Sequence, residues 1–380
     1  MALRYKTIDN LKLRNKTVLL RVDLNTEIVN NQVLDSLRFK EHAKTISELK
    51  KKKARVIILA HQGRPGKKDF TSLKKHAKIL SRYTRVGFVQ DVIGRKAVES
   101  ITQLKYGEAL LLENIRSVKE EFAPEKRDNS LVRVLSSLAD VYINDAFSVS
   151  HRNESSITIF PKILDSGVGR VMQGELESLE KIKIKECLFI LAGAKVEDNL
   201  LLLKNKNIIT AGLFGQLCTI AKGSNLGAQN KFLRNELKLI PRIKPFLGRI
   251  KTPTDFAVNA NGKRIELKLE DFPSKYEIFD IGEETIARYK EIIRKAKAIY
   301  VKGTLGYAQD PRFSKGTKEI YEAITKSGAF SILGGGSSTS AIEKLKINKS
   351  KIGYISLSGG ALVYYLAGKK LPGLEALKRG

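Results

Sequence analysis

The sequence predicts an α/β protein with two parallel-sheet domains, each wound with helices and joined by a connecting helix. Three observations carry this prediction. Short apolar runs without polar alternation recur along the chain, as strands buried on both faces do. Each run is followed by an amphipathic, lysine-rich stretch of helical length, and strands alternating with helices build parallel layers. At 380 residues the chain is long enough for two ordinary domains, each with its own core.

In chain order, the first strand candidates are TVLLRVD (17–23), RVIILAH (55–61), EALLLEN (108–114) and DVYINDAF (140–147). The second set is ECLFILAG (186–193), NIITAG (207–212), AIYVKG (298–303), FSILGG (330–335) and IGYISLSG (352–359). Helix candidates between them include SLRFKEHAKTISELKKK and EETIARYKEIIRKAK. The stretch SGVGRVMQGELESLEKIK (166–183) separates the two sets, and its glycines lead into a helical pattern that suits an interdomain connector. The boundary is placed at Gly169, giving domains 1–168 and 169–361.

Composition narrows the function. No apolar run approaches membrane-spanning length. The N-terminus, MALRYKTIDNLKLRNKTVLL, mixes charges through its first apolar positions and lacks a signal-peptide core. Cys187 and Cys218 make neither a disulfide framework nor a metal quartet, so a reduced, cytoplasmic setting is expected. The formal net charge of +29 admits two readings: a nucleic-acid or other polyanion partner, or lysine dispersed over solvated faces. The basic residues are scattered along the whole chain without aromatic interleaving, which favours the second.

In open α/β sheets, ligands bind beyond the carboxyl ends of the strands. In the first half those positions hold Asp23 and Asn25, His61 and Arg64, Arg116, and His151 with Arg152, while Arg38 opens the first helix. Several cations on one rim repel one another unless an anion joins them, and arginine suits bidentate phosphate or carboxylate recognition. In the second half the strands end in glycine: AGAK (192–195), TAGLFG (210–215), KGTLG (302–306), GGGSS (334–338) and SGGA (358–361). Glycine-rich turns before helices can present backbone N–H groups to phosphates. None of them reads as a P-loop or a clean dinucleotide fingerprint. An anion site and a nucleotide site together imply phosphoryl transfer. A carboxylate acceptor is already ionised at neutral pH, so catalysis would reduce to positioning and charge neutralisation.

The ordered stretches RVDLN, HQGRP, LLLENIR with KEEF, VYINDAF with HR, GAKVED, GTKEI with AFSILGGG, and LPGLEAL span nearly the whole chain. Together they resemble the phosphoglycerate kinase family. The resemblance implies two Rossmann-like domains around a hinge, the first for 3-phosphoglycerate or 1,3-bisphosphoglycerate and the second for ADP or ATP with magnesium. It implies a C-terminal segment, about 362–380, that packs back on the first domain. It places Asp23 and Asn25 at the glycerate hydroxyl and carboxylate, and His61, Arg64, Arg116 and Arg152 at the 3-phosphate beside His151. Arg38 would neutralise the carboxylate and the group in flight. Lys195, with Gly334, Gly335, Gly336, Ser337 and Ser338, would hold nucleotide phosphates. Ala211, Gly212, Lys302 and Gly303 would border the adenosine.

This chain departs from the family pattern mostly on the nucleotide side. Asn199 stands where a second lysine is usual, Ser337 where an aspartate associated with the metal–nucleotide is usual, and Gln309 where a glutamate near the ribose is usual. KGTLG replaces NGPMG, bringing Lys302 and Thr304, and Ser358 breaks the last glycine triplet. In the first half, Ser148 replaces a usual glycine. An active enzyme with a rearranged nucleotide site is the favoured expectation, with Lys302 as substitute cation. The alternative is a kinase-fold protein of weakened catalysis that binds nucleic acid or serves another role.

Overall fold

The computed structural model describes residues 4–378. The chain divides into two compact units, unit 1 comprising 1–177 with 370–380 and unit 2 comprising 178–369.

Unit 1 is built on six parallel strands: β1 Thr17–Arg21, β2 Arg55–Leu59, β3 Gly87–Phe88, β4 Ala109–Leu111, β5 Val141–Asn144 and β6 Asp165–Val168. They lie in the order β3-β4-β2-β1-β5-β6. Both faces are covered, which explains the unalternating apolar runs. Val18, Leu20, Val56 and Ile58 enter one core with Phe39 and Ile46 of the helix Leu37–Lys51. Leu19, Ile57, Leu59 and Tyr142 enter another with Leu131 and Phe160. The sheet order reverses between β1 and β5, so the loops 22–25 and 145–152 leave from the switch point.

Unit 2 repeats the plan with β7 Cys187–Leu191, β8 Asn207–Thr210, β9 Ile250–Lys251, β10 Ala298–Lys302, β11 Phe330–Gly334 and β12 Tyr354–Ser356. Their order is β9-β8-β7-β10-β11-β12, the dinucleotide-fold order, with its switch point between β7 and β10. A three-stranded antiparallel sheet (Asp255–Ala260, Lys263–Lys268, Ile278–Ile281) is added to this unit. Its hairpin turns through Asn261 and Gly262, both at positive φ, as an Asn-Gly turn of the primed type requires.

In unit 1 the polar residues read as strand ends lie outside the strands, which stop two or three residues earlier than the apolar runs and free the switch-point loops. The helix Arg170–Glu180 carries the chain across the division at Glu177/Ser178, whereas the sequence expectation set the boundary at Gly169. Helix Gly360–Leu366 groups with unit 2, and only residues 370–380 group with unit 1. There helix Pro372–Leu377 packs on Ser155–Thr158, and the Gly373 N–H donates to the Ser150 carbonyl at 2.9 Å. A Cβ at Gly373 would lie 2.7 Å from Ile157, so only glycine lets this helix sit so close. Among the described residues no helix is long and apolar enough to cross a membrane.

Candidate functional site

Four loops of unit 1 meet at the carboxyl ends of β1, β2, β4 and β5. Asp23, two residues beyond β1, is buried. Its Oδ1 accepts the Asn25 N–H at 3.0 Å, and its Oδ2 accepts from both Arg38 and Ser148. The Asn25 Oδ1 accepts the Gly63 N–H at 2.8 Å, tying the first loop to the loop after β2. Gly63 sits at φ +64 with the Asp69 carbonyl oxygen 2.4 Å from where a Cβ would be, so the HQGRP loop needs glycine there.

Arginine is concentrated at this rim. Arg21, at the end of β1, is fully buried; it donates to Ser156 Oγ at 3.0 Å and lies 3.2 Å from His61 Nδ1. A guanidinium only donates, so His61 Nδ1 is the acceptor and its proton is on Nε2. Burial and the charges of Arg21, Arg152 and Arg38 hold the His61 imidazole well below its usual pKa, so it is neutral at pH 7. Burial pushes Arg38 down to about 10, opposed by Glu175, and the side chain stays charged at neutral pH. Arg152 is lowered by burial, with Glu154 opposing and Arg64 and Arg21 adding repulsion. Arg64 is exposed and makes no ion pair among the described residues.

Arg116 behaves differently. It is buried after β4 and donates to the Gly63 carbonyl at 2.6 Å and to Glu154 at 2.8 Å. Glu154 also accepts from Arg152 at 3.3 Å. Arg116 is thus engaged beneath the rim, and Arg64 and Arg152 are the arginines nearer solvent. His151 and Arg152 are half-buried on the turn that follows Phe147–Val149. Below them, Glu121 accepts from the Ser156 N–H at 2.9 Å and Oγ at 2.7 Å, and burial, against the charge of Arg21, raises it to about 8. Sequence reading passed over Arg21, Glu154 and Glu121. A charged residue inside the apolar run TVLLRVD was the available signal for Arg21.

In unit 2, three glycines bring the loops at the switch point into backbone contact. Gly193, Gly212 and Gly303 have φ of +80, +54 and +82. A Cβ on Gly303 would lie 2.6 Å from Gly193 Cα, and one on Gly212 would lie 2.8 Å from the Gly193 nitrogen. Their N–H groups are already used: Gly193 donates to Thr304, Gly212 to Leu305 and Gly303 to Ser338 Oγ. These glycines permit close loop packing rather than offering free amides. Ala211, buried, is the N-cap of helix Gly212–Ala221. By contrast, Gly335 and Gly336, opening helix Gly336–Lys344, have nothing within 4 Å of a hypothetical Cβ. Gly334 closes β11, Ser337 is exposed, and Ser338 is buried with its hydroxyl donating to the Gly334 carbonyl at 3.0 Å.

Lys195 is exposed and caps the short helix Val196–Leu200. With Glu197, Asp198 and Asn235 it lines a cavity of about 400 Å³. Lys302, at the end of β10, places Nζ 3.5 Å from Asp198 Oδ2 and 3.4 Å from the Lys195 carbonyl. Burial lowers its pKa, Asp198 opposes this, and Lys195 adds to it. Asn199 is fully buried and donates to the Ala192 carbonyl at 3.1 Å, so it holds the AGAK loop from behind. Gln309 is exposed, and its carbonyl accepts from Lys344. No group of three or more His, Cys, Asp or Glu suited to a metal ion occurs among the described residues.

Comparison with known proteins finds one family over nearly the whole chain. The family model described as phosphoglycerate kinase matches residues 8–369. The phosphoglycerate kinase of Methanothermus fervidus is 39% identical over 402 residues, covering 99% of this chain and 97% of that protein. That of Sulfurisphaera tokodaii is 42% identical over 400 residues, covering 99% and 96%. The crystal structure of phosphoglycerate kinase from Pyrococcus horikoshii OT3 superposes with a TM-score of 0.90 at 35% identity, covering 98% of both chains. The structure of phosphoglycerate kinase from Coxiella burnetii gives a TM-score of 0.79 at 27% identity over the same coverage.

Proposed function

The chain belongs to the phosphoglycerate kinase family, and on that basis we propose that the unit 1 rim holds 3-phosphoglycerate while the unit 2 loops hold the nucleotide. The reaction is reversible transfer of a phosphoryl group between 1,3-bisphosphoglycerate and ADP, giving 3-phosphoglycerate and ATP. The observation that carries the substrate half is the crowding of cations in unit 1. Burial first, and then repulsion from Arg64 and Arg21, works against the charge of Arg152, and a bound phosphate relieves that repulsion; His61 stays neutral among the same cations.

In this reading Arg64 and Arg152 grip the 3-phosphate, and the neutral His61 donates to it from Nε2. His151 borders the same group. Arg116 holds Gly63 and Glu154 in place beneath them. Asp23 takes the glycerate hydroxyl, and Asn25 fixes the loop against Gly63. Arg38 neutralises the acceptor carboxylate and the moving phosphoryl group. The acceptor is already an anion, so no side chain need remove a proton, and the neutral His61 is not asked to.

On the nucleotide side, Lys195 and Lys302 supply positive charge, and the open Gly335–Gly336 backbone with Ser337 at a helix start receives phosphate. Asn199 and Ser338 shape this surface from within, and Ala211, Gly212, Gly303 and Gln309 border the adenosine. Magnesium would arrive as Mg·ATP, and Asp198, which lines the cavity with Lys195, is the carboxylate that would meet it. Bound there, it would neutralise phosphate charge. A cytoplasmic setting suits two buried free thiols.

The test is a coupled assay with 3-phosphoglycerate and Mg·ATP, run in both directions. Turnover that saturates in both substrates is expected. Folded protein that turns over neither way, across several nucleotides and divalent cations, would overturn the reading.

A further inference from the structure

Asp23 is gripped at both ends by one face of the first helix. Arg38 and His42 are four residues apart on Leu37–Lys51 and so project from the same side. Arg38 donates to the Asp23 carboxylate, and His42 Nε2 accepts the Asp23 backbone N–H at 3.2 Å. His42 is itself buried, and its Nδ1 lies 2.9 Å from Asp145 Oδ2. The Asp23 amide can only donate, so Nε2 carries no proton, and the Nδ1–H donates to Asp145.

Asp145 is fully buried and holds more than the imidazole. Its Oδ1 accepts the N–H groups of Val171 at 2.8 Å and Met172 at 3.2 Å, capping the first turn of the connecting helix Arg170–Glu180. A Cβ on Gly169 would lie 2.3 Å from that same oxygen, so glycine there lets the carboxylate reach the helix. This is a His–Asp pair with no nucleophile: the nitrogen that would activate one is occupied by a main-chain amide.

We propose that His42, oriented by Asp145, is a positioning residue for the substrate loop. It sets the main chain of Asp23 so that the carboxylate stays in register with Arg38. Through the shared Asp145, that register is tied to the start of the connecting helix. The proposal rests on the reading of Asp23 as a 3-phosphoglycerate contact.

The test compares His42→Leu, His42→Gln and His42→Asn, with Asp23→Ala as control. Steady-state kinetics in each substrate and thermal unfolding are measured for all four. Glutamine can place an acceptor near the position of Nε2. Asparagine can reach only the Asp145 side, and leucine fills volume without either bond. His42→Leu and His42→Asn are expected to raise KM for 3-phosphoglycerate by about tenfold to a hundredfold, with KM for Mg·ATP unchanged. His42→Gln is expected to recover most of that loss. If His42→Leu does not fold, the contrast between glutamine and asparagine decides alone. Wild-type KM in all folded His42 variants overturns the proposal. So does a loss that falls equally on glutamine and asparagine or on both substrates, since that marks a purely structural residue. If Asp23→Ala itself leaves KM for 3-phosphoglycerate unchanged, the substrate-site reading fails first and takes the proposal with it.

Discussion

Replacing Lys302 by methionine removes a charge while keeping most of the side-chain volume. The Lys302 side chain is 11% exposed and its Asp198 partner is 45% exposed, at 3.5 Å. With one member so well hydrated, the pair itself contributes only about 0–1 kcal/mol to stability. Burial also works against the lysine charge. Lys302→Met should therefore fold with stability within about 1 kcal/mol of the parent. Activity should respond very differently. A preorganised, partly dry cation facing phosphate charge is typically worth about 3 kcal/mol in the transition state, which is about 160-fold in kcat. The assay is turnover at saturating 3-phosphoglycerate and Mg·ATP, with Lys195→Ala and Asn199→Lys in parallel. Lys195→Ala should also be severely impaired. Asn199→Lys should bring no large gain, because Asn199 is fully buried and engaged with the Ala192 carbonyl. The idea of a rearranged site fails if Lys302→Met keeps parental kcat while Asn199→Lys raises it by orders of magnitude.

Other perturbations test the substrate side and the charge. Arg116→Met leaves Glu154 buried without its closest cation, the two side chains being 2% and 8% exposed; a loss of about 3–5 kcal/mol in urea unfolding is expected, and a loss below about 1 kcal/mol would show that Arg152 suffices. Burial raises the folded-state pKa of Glu121 from 4.5 to about 8, so the folded state holds an extra proton between those values. The stability this group contributes is complete below the lower value and is lost as pH rises through the upper one. Glu121→Gln should flatten that decline in unfolding midpoints between pH 5 and 8, and parallel curves for variant and parent would exclude it. With the excess lysine dispersed, binding to generic RNA should be weak and vanish near physiological salt in a filter-binding titration. Tight, sequence-selective RNA binding at that salt would contradict this.

Much of the fold is legible in the sequence because strands buried on both faces must be continuously apolar. TVLLRVD and ECLFILAG announce β1 and β7 in this way, and the polar residues just beyond them mark the site. The short strands Gly87–Phe88 and Ile250–Lys251 carry too few residues to give a pattern. The antiparallel sheet was missed although NANGK contains the Asn-Gly signal that its hairpin uses. Within the site, the arginines could be found by position, but not their depth. Only the folded chain separates Arg116, engaged beneath the rim, from Arg64, which faces solvent. The glycine loops show the same limit. Their composition suggested phosphate cradles, yet Gly193, Gly212 and Gly303 spend their amides on neighbouring loops. The role of His42 depends on contacts to residues 19 and 103 positions away, which no local pattern contains.

The most direct measurement is the split between kcat and KM for Arg38→Ala set beside Arg64→Ala and Arg152→Ala. If the rim arginines hold the 3-phosphate while Arg38 neutralises the carboxylate and the moving group, Arg64→Ala and Arg152→Ala should mainly raise KM for 3-phosphoglycerate. Arg38→Ala should lower kcat by about two orders of magnitude, the equivalent of about 3 kcal/mol, with a much smaller change in KM. A variant at Arg38 that changes only KM would contradict transfer by charge neutralisation at this residue.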